Sequence, residues 1–524
     1  MLSHQTYKPS YFWILFVAVG AILFIKLGAT PIYILDEAKN AQCAREMLQH
    51  GDFIVPTFNG ELRTDKPPLH YFFMMVAYKM FGVNEFAARF FSVVMGLLTI
   101  LVTYNYTKRL FNILAAFCAC IVLATSTQFL FEFRLSVPDP YLIFFIALGL
   151  FSAFTWLKEN NIPQLYISAA AFALATLAKG PVALALPGLC LLIWIVTQKK
   201  WKDLLTWHLV PAIILLLAIT LPWYMAVHKA TNGAWTKGFF IEHNLNRFSD
   251  TQEGHGGFFF ITILFVLLGL LPFMSFIGET LKNRKIVFQN DLVEFSGIVV
   301  LVFIIFFSIS STKLPNYAMP CYPFAAVILG SFIASLLSKS ITSKKYPLYI
   351  LTVVLLVLPV AGYFAIRQEV ETSSISRIAW LLIIFPVCFI FFLLINKSAS
   401  WKKTIYVTVI LYSLLNIILL YYIYPTLYKQ NPVSKTIDLI KQSTHIFSYK
   451  IYNPGYNFYL EKNIKKYDFV DSLNVQLQQN PDAIIISRKE FLDSLQLLNL
   501  DVIAEHHDIF ELPTSIVLKR HAKP

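Results

Sequence analysis

The stretch Asp36–Tyr71, DEAKNAQCAREMLQHGDFIVPTFNGELRTDKPPLHY, decides how this chain folds, because it places a dense set of charges between two strongly apolar segments. Its first half predicts a helix. Asp36 and Glu37 would occupy the first turn, where the helix dipole favours carboxylates, and Gly51 is a stop signal. An extended piece and a turn at residues 58–60 are expected to follow.

A second acid–base pair, Asp65 and Lys66, stands directly before Pro67 and Pro68. A residue before proline is pushed out of the α region, so we expect Lys66 to be extended, and proline is well suited to begin the next helix. The stretch therefore presents two acidic clusters and a lysine at two chain breaks, where a membrane protein can place polar groups for chemistry.

The composition is that of a polytopic α-helical membrane protein. Of the 524 residues, 57% are hydrophobic and 14% are charged, and the mean hydropathy is +0.61, whereas soluble domains carry about 25% charged residues. The six cysteines fall mostly inside apolar runs and form neither metal spacings nor a disulfide framework, so we interpret them as small buried hydrophobes. The net charge of +13 is attributed to lysine and arginine in cytoplasmic loops rather than to nucleic-acid binding.

Apolar runs of about 17–25 residues predict thirteen membrane spans. They begin near Tyr11, Ala88, Phe111, Asp139, Leu165, Pro181, His208, Gly257, Glu294, Tyr317, Tyr346, Arg377 and Lys403. The first run shows no cleavage site and predicts a span rather than a signal peptide. Residues 69–81 are too short to span and predict a juxtamembrane helix within a first outer loop of residues 29–87.

Basic residues cluster at nearly every second turn between spans, and the positive-inside rule then places the N-terminus in the cytoplasm. The mixed-charge loops fall on the opposite face. An odd number of spans puts the C-terminal segment there too. We predict a transmembrane domain of residues 1–429 and a small extracytoplasmic α/β domain of residues 430–524, where short β-branched runs replace the long apolar ones.

Five further stretches on the predicted outer face carry ionisable groups. They are Glu132 and Arg134 ahead of SVPDP, Lys179 in AKGP, Glu242 and His243 with Arg247 in FFIEHNLNRFSD, His255 in EGHGG, and Lys313 with Tyr317 in STKLPNYAMP. Loop acids such as Glu37 and Glu132, taken singly, are expected to be solvated. Asp139 differs, because it lies between two prolines at the edge of an apolar span, where burial of a carboxylate indicates a role or a partner.

Glu242, His243 and Asn244 are residue types found in metal sites, but they lack a repeated ligand spacing, and no metal ligand is predicted. Whether a divalent cation takes part is left open. Together, carboxylates at span edges and several cations on one face suit a substrate that carries phosphate and undergoes substitution at carbon. The cations would stabilise the departing phosphate, and a carboxylate would deprotonate or orient an attacking hydroxyl.

Six segments, in this order and spacing, resemble the bacterial aminoarabinose transferases. The segments are DEAKNAQCAREML, GDFIVPTFNGELRTDKPPLHYF, FGVNEFAARF, AKGP, EHNLNRF and KLPNYAMP. That family modifies lipid A, is related to protein O-mannosyltransferases and has the GT-C fold. The resemblance covers roughly residues 10–330. It implies an inverting, inner-membrane glycosyltransferase that takes a sugar from a polyprenyl phosphate, its lipid-linked donor, to a lipid A or protein acceptor on the periplasmic side.

The resemblance also implies roles for residues. Asp36 and Asp139 match the two essential acids and are the predicted catalytic residues. The predicted substrate-binding residues are Glu37, Lys39, Arg63, Asp65, Lys66, His243, Arg247, Lys313 and Tyr317. Lys66 matches a lysine expected on the donor phosphate.

The chain departs from the family pattern near the sugar and acceptor. Lys39 and Asn40 replace an arginine and a tyrosine, Asp65 replaces a glutamate, and Arg63 replaces an aromatic residue. Lysine keeps the charge of arginine but loses its two-pronged geometry. The sugar and acceptor therefore stay open.

The expected partners are membrane lipids, the lipid-linked donor and the acceptor, and we expect a monomer. Transfer to serine or threonine of a protein is the alternative within the class. A polyprenyl-lipid transporter is the alternative outside it. A transporter would place its ionisable groups near the membrane midplane, whereas these gather at the outer ends of spans.

Overall fold

The structure is a computed structural model that describes residues 8–245, 257–396 and 400–521. Seventeen helices include all the apolar ones; they are numbered without the short helical segments Trp201–Leu204, Ala234–Lys237, Gly238–Leu245 and Arg284–Val287. The seventeen are α1 Ser10–Phe24, α2 Leu35–His50, α3 Leu69–Phe81, α4 Glu85–Leu110, α5 Ile113–Thr125, α6 Thr127–Glu132, α7 Asp139–Glu159, α8 Ile162–Lys179, α9 Val182–Thr197, α10 Leu209–Ala230, α11 Ile261–Gly269, α12 Phe273–Lys282, α13 Asp291–Ile309, α14 Met319–Leu337, α15 Tyr346–Gln368, α16 Ser373–Ile395 and α17 Trp401–Tyr428.

An apolar helix lies at each of the thirteen predicted positions within the described ranges, but they are not equivalent. Nine are long and apolar enough to cross a membrane, whereas α1, α5 and α9 have only 10–17 residues. The predicted eighth span is broken into α11 and α12, which meet at an angle of 112°. Pro272 lies in this break, and an interior proline removes a helical hydrogen bond and kinks or breaks a helix. The count of thirteen full crossings is therefore not established; the described residues give nine, or ten if the bent pair counts as one.

Helix α7 lies at the centre of the bundle. It packs against α4, α8 and α9, and 94% of its apolar window is buried, against 22% for α15. The contrast shows that α7 is shielded by protein and that α15 presents most of its surface outward. Asp139 is the first residue of α7 and is thereby held at the end of the bundle's most protected element.

The segment between α1 and α4 folds as the sequence predicts. Helix α2 carries Asp36 and Glu37 in its first turn and ends at Gly51, whose φ of 67° is the left-handed conformation that glycine favours. Strands β1 Thr57–Phe58 and β2 Glu61–Leu62 are joined by Asn59 and Gly60, both with positive φ, as a two-residue hairpin turn requires. Helix α3 spans residues 69–81, as predicted.

The C-terminal residues form the predicted α/β structure. Strands β3 Ile446–Tyr449, β4 Lys465–Tyr467, β5 Ile484–Arg488, β6 Leu500–His507 and β7 Thr514–Arg520 make a sheet in the order β4-β3-β5-β7-β6. Strand β3 is parallel to β4 and β5, and β7 is antiparallel to β5 and β6. Helices α18 Pro432–Lys441 and α19 Gly455–Leu460 pack on one face, and α20 Val470–Gln479 packs on the other.

Hydrogen bonds join the C-terminal structure to the segment between α1 and α4. Asn59 donates its side-chain N–H to the carbonyl of Ile464 (2.8 Å), and its oxygen accepts from the Ile464 backbone N–H (2.7 Å) and from the Asn457 side chain (2.8 Å). Arg45 in α2 donates to the carbonyl of Phe458 (2.8 Å). The C-terminal structure therefore positions α2, which carries Asp36.

We expect Asn59→Ala to lower the free energy of unfolding by about 2–4 kcal/mol, because it removes the contacts to residues 457 and 464 and also strains a residue with positive φ. Asn59→Gly removes the same contacts but tolerates the backbone conformation, so it should cost less. Thermal unfolding of the detergent-solubilised protein measures both. Equal losses for the two variants would contradict a contribution from the turn.

Candidate active site

Asp36 and Lys66 come together although they lie on different elements. Asp36 is in the first turn of α2, and Lys66 immediately precedes the proline pair that leads into α3. The ammonium nitrogen of Lys66 lies 3.7 Å from the Asp36 carboxylate; the lysine side chain is 8% exposed and the aspartate side chain is 51% exposed. Lys66 lowers the pKa of Asp36, so this carboxylate is ionised at neutral pH.

Arg63 and Asp65 pair with each other beside this site. The guanidinium of Arg63 donates two hydrogen bonds to the Asp65 carboxylate, at 2.6 and 2.9 Å. Burial alone would raise the pKa of Asp65, but Arg63 and then Lys66 lower it far below its usual range. Trp235 donates from its indole nitrogen to the carbonyl of Arg63 (2.9 Å). The Arg63–Asp65 ion pair and the Trp235 hydrogen bond therefore hold the backbone just before Lys66 in place.

Lys39, one turn after Asp36, is half-buried. Its positive charge lowers the pKa of both Asp36 and Asp65, which places it in the same electrostatic cluster.

Asp139 has its own lysine partner. It is buried, and its carboxylate accepts from the ammonium of Lys179 (2.6 Å), the last residue of α8. Lys179 also lies 5.0 Å from the ring centroid of Tyr317, a cation–π contact. Three sequence segments that are far apart in the chain, around residues 139, 179 and 317, thus converge.

Glu37 is not the solvated loop acid that the sequence predicts. Glu37 is 0% exposed, and its carboxylate accepts two hydrogen bonds from Arg89, at 2.7 and 2.8 Å. It also accepts from the backbone N–H of Ser136 (2.9 Å). Asn40 donates to the carbonyl of Ser136 (3.2 Å). Because Ser136 lies three residues before Asp139, these bonds tie the start of α2 to the start of α7 and so hold the two predicted catalytic acids in one region.

Glu132 is likewise buried rather than solvated. Burial and the nearby charge of Asp139 raise its pKa well above its usual value of 4.5. One of its oxygens has no hydrogen-bond partner within the described part of the chain.

Of the remaining predicted substrate-binding residues, Lys313 and His243 are within the described part of the chain. Lys313 donates from its ammonium to the carbonyl of Ser310 (2.6 Å). His243 is half-buried in a π-helical turn, Gly238–Leu245. Arg247 and His255 lie outside the described residues.

Two residues in this region were missed by the sequence interpretation. Arg89 stands within an apolar span, and a charge in such a run is the signal that could have found it. His70 is fully buried in α3, and within the described residues neither ring nitrogen has a hydrogen-bond partner. Burial, and then Arg63 and Lys66, lower its pKa well below 6.5, so its ring is neutral at pH 7. Nothing in the sequence around His70 distinguishes it.

Metal ligation has no support in the arrangement of side chains. Among the described residues, no three of His, Cys, Asp and Glu are grouped in a way that could hold a metal ion. Asp36 and Asp139 are instead neutralised by lysines.

Comparisons with known proteins find similar sequences and a similar fold. A family model described as dolichyl-phosphate-mannose-protein mannosyltransferase matches residues 65–225. An undecaprenyl phosphate-alpha-4-amino-4-deoxy-L-arabinose arabinosyl transferase of Enterobacter sp. (strain 638) is 29% identical over 342 residues, which cover 62% of this chain and 61% of that protein. The match thus spans less than two thirds of that relative. An uncharacterized protein of Aquifex aeolicus (strain VF5) is 28% identical over 67% of this chain and 70% of its own length.

Among solved structures, ArnT from Cupriavidus metallidurans bound to undecaprenyl phosphate superimposes with a TM-score of 0.78. The alignment covers 97% of this chain and 98% of that one, at 20% identity. This likeness confirms the predicted fold over nearly the whole chain, including the C-terminal sheet.

Proposed function

We propose that this chain is a GT-C membrane glycosyltransferase related to the aminoarabinose transferases, which it resembles in sequence and fold. It would transfer a sugar from a polyprenyl phosphate to an acceptor on the outer face of its membrane. The observation that carries this proposal is the contact of Asp36 with Lys66, a half-exposed carboxylate beside a buried ammonium. One group can meet an acceptor while the other meets a phosphate.

In the proposed reaction an acceptor oxygen forms a bond to the anomeric carbon as the bond from that carbon to the donor phosphate breaks. The configuration inverts, and polyprenyl phosphate leaves with the bonding electron pair. Lys66 would neutralise the phosphate as it departs, assisted by Lys313 and Arg247. Asp36 and Asp139 would orient the acceptor, and the Arg63–Asp65 pair would hold Lys66 in place.

The charge states of the site favour an acceptor that is already ionised. Lys66 lowers the pKa of Asp36, and burial lowers the pKa of His70. The pKa values of Asp36 and His70 are thus displaced away from neutral pH, whereas an efficient general base has a pKa near it. A phosphate oxygen of lipid A needs no base, whereas a serine or threonine hydroxyl does. We therefore propose lipid A as the acceptor, with aminoarabinose as the first sugar to test.

The relatives and the apolar helices support an integral membrane protein of the bacterial inner membrane. The basic turns between spans support a cytoplasmic N-terminus. We propose that the site and the C-terminal sheet face the periplasm.

Mass spectrometry of lipid A tests the proposal, with cells that lack the gene compared with the same cells after the gene is restored. We expect one added sugar that depends on the gene, and the size of the mass increment identifies the sugar. Unchanged lipid A together with gene-dependent glycopeptides would replace the acceptor by a protein. If lipid A, glycopeptides and other surface glycans are all unchanged, the transferase proposal fails and transport of the polyprenyl lipid becomes the better explanation.

A further inference from the structure

The turn between β6 and β7, residues 508–513, carries two apolar side chains at the surface. Leu512 is 97% exposed and Phe510 is 46% exposed. The turn is closed by backbone hydrogen bonds, from the N–H of Asp508 to the carbonyl of Pro513 (2.9 Å) and from the N–H of Glu511 to the carbonyl of Asp508 (3.1 Å). A single exposed leucine is common on protein surfaces. Whether this one contacts water or lipid depends on where the turn lies relative to the membrane spans.

The turn lies at the ends of two apolar spans. The ring of Phe510 is 6.3 Å from that of Tyr428, the last residue of α17. Glu371, three residues beyond α15, accepts from the backbone N–H of His507 (2.9 Å) at the end of β6. Lys435 in α18 donates to the same carboxylate (2.6 Å). The turn end of this hairpin therefore lies beside the ends of α15 and α17.

The ends of these spans mark the level of the lipid head groups. Helix α17 has 28 residues, about 42 Å at 1.5 Å per residue, which matches the thickness of a bilayer with its head groups. Its last two turns carry four tyrosines, of which Tyr422 is 55% exposed, and exposed tyrosine is typical of a membrane interface. Phe510 and Leu512 are thus at interfacial depth.

We propose that the 508–513 turn inserts into the membrane at this interface, with Leu512 as the inserted side chain and the lipid bilayer itself as the partner. The insertion has a structural consequence for the site. The backbone N–H of Ile509 donates to the Tyr33 hydroxyl (3.1 Å), and Tyr33 lies three residues before Asp36. Contact with lipid at the turn therefore fixes the depth of the chain that leads into α2.

A nitroxide spin label tests this in the full-length protein in liposomes. The label is placed by Leu512→Cys and, as a matched control, by Leu497→Cys. Leu497 is 90% exposed but precedes the opposite end of β6, about 26 Å away along eight strand residues. All six native cysteines are within the described residues; five are buried and Cys388 is partly exposed, so Cys388→Ala is the parent.

Collision rates with oxygen, which concentrates in lipid, and with a water-soluble nickel chelate are then compared. We expect the collision rate with oxygen to be the higher one at position 512 and the collision rate with the nickel chelate to be the higher one at position 497. The ratio of the two rates should differ several-fold between the two positions. Nickel dominance at both positions would overturn the proposal. So would oxygen dominance at both, since the label itself would then be driving insertion. Exclusion of both reagents at 512, with dipolar coupling between labels, would replace lipid by a second copy of the chain.

Discussion

Asp36→Asn is expected to reduce turnover by about 10²-fold, the usual cost of a misplaced reacting group. The amide has nearly the same size as the carboxylate, and the only ion pair that Asp36 makes in the described residues is the 3.7 Å contact with Lys66. The fold should therefore survive. The rate of sugar transfer in liposomes, with purified donor and lipid A, measures the loss.

Glu61→Gln is the matched control, because Glu61 is an exposed acid in β2 of the same loop. It should keep the wild-type rate. An Asp36→Asn protein that unfolds at the wild-type temperature and also transfers sugar at the wild-type rate would remove Asp36 from the proposed mechanism.

The pH dependence of turnover in Lys66 variants shows whether the positive charge of Lys66 or only the shape of its side chain matters to Asp36. Lys66 lowers the pKa of Asp36 below its ordinary 3.8. Protonation of Asp36 should therefore reduce wild-type activity only when the pH falls below that value. In Lys66→Met the pKa of Asp36 rises, and the remaining activity should therefore decline at a higher pH than in the wild type as the solution is acidified. Lys66→Arg keeps the positive charge and should keep the wild-type profile. An unchanged profile in Lys66→Met would contradict the coupling.

What the sequence could predict here was local. The bounds of α3 and the end of α2 follow from proline and glycine signals a few residues away, and Asp139 could be identified because an apolar span starts at it. The partners were not accessible in this way. Glu37 and Arg89 are 52 positions apart, Asp139 and Lys179 are 40 apart, and Asn59 and Ile464 are 405 apart. No local rule selects one partner among many charges, so the sequence presented Glu37 as a solvated acid.

The break in the eighth span shows the same limit from the other direction. Apolar composition alone predicts a single helix there, because hydropathy gives no information on a change in the direction of the helix axis. Pro272 was visible in the sequence, but many proline-containing spans continue with a kink, as α10 and α15 do around Pro222 and Pro359. The 112° bend between α11 and α12 is therefore a property of the packed bundle.

Arg89→Leu is expected to lower the free energy of unfolding by about 3–5 kcal/mol, because it leaves the buried carboxylate of Glu37 without its counterion. The two side chains are 2% and 1% exposed, so water cannot replace the lost partner. A drop in the unfolding temperature of the detergent-solubilised protein measures the effect. Lys158→Leu is the control, because Lys158 pairs with Asp291 at 2.9 Å, but these side chains are 34% and 51% exposed. Such a pair contributes about 0–1 kcal/mol.

The double variant Glu37→Leu with Arg89→Leu separates stability from positioning. It removes both charges, and we expect it to regain part of the stability that Arg89→Leu loses, since no unpaired charge stays buried. It should not regain activity, because the hydrogen bond from Ser136 to Glu37 that joins α2 to α7 is gone. A stable double variant with wild-type turnover would show that the two acids are held together without this bridge. If Arg89→Leu proved no less stable than Lys158→Leu, the ion pair itself would not be what secures Glu37.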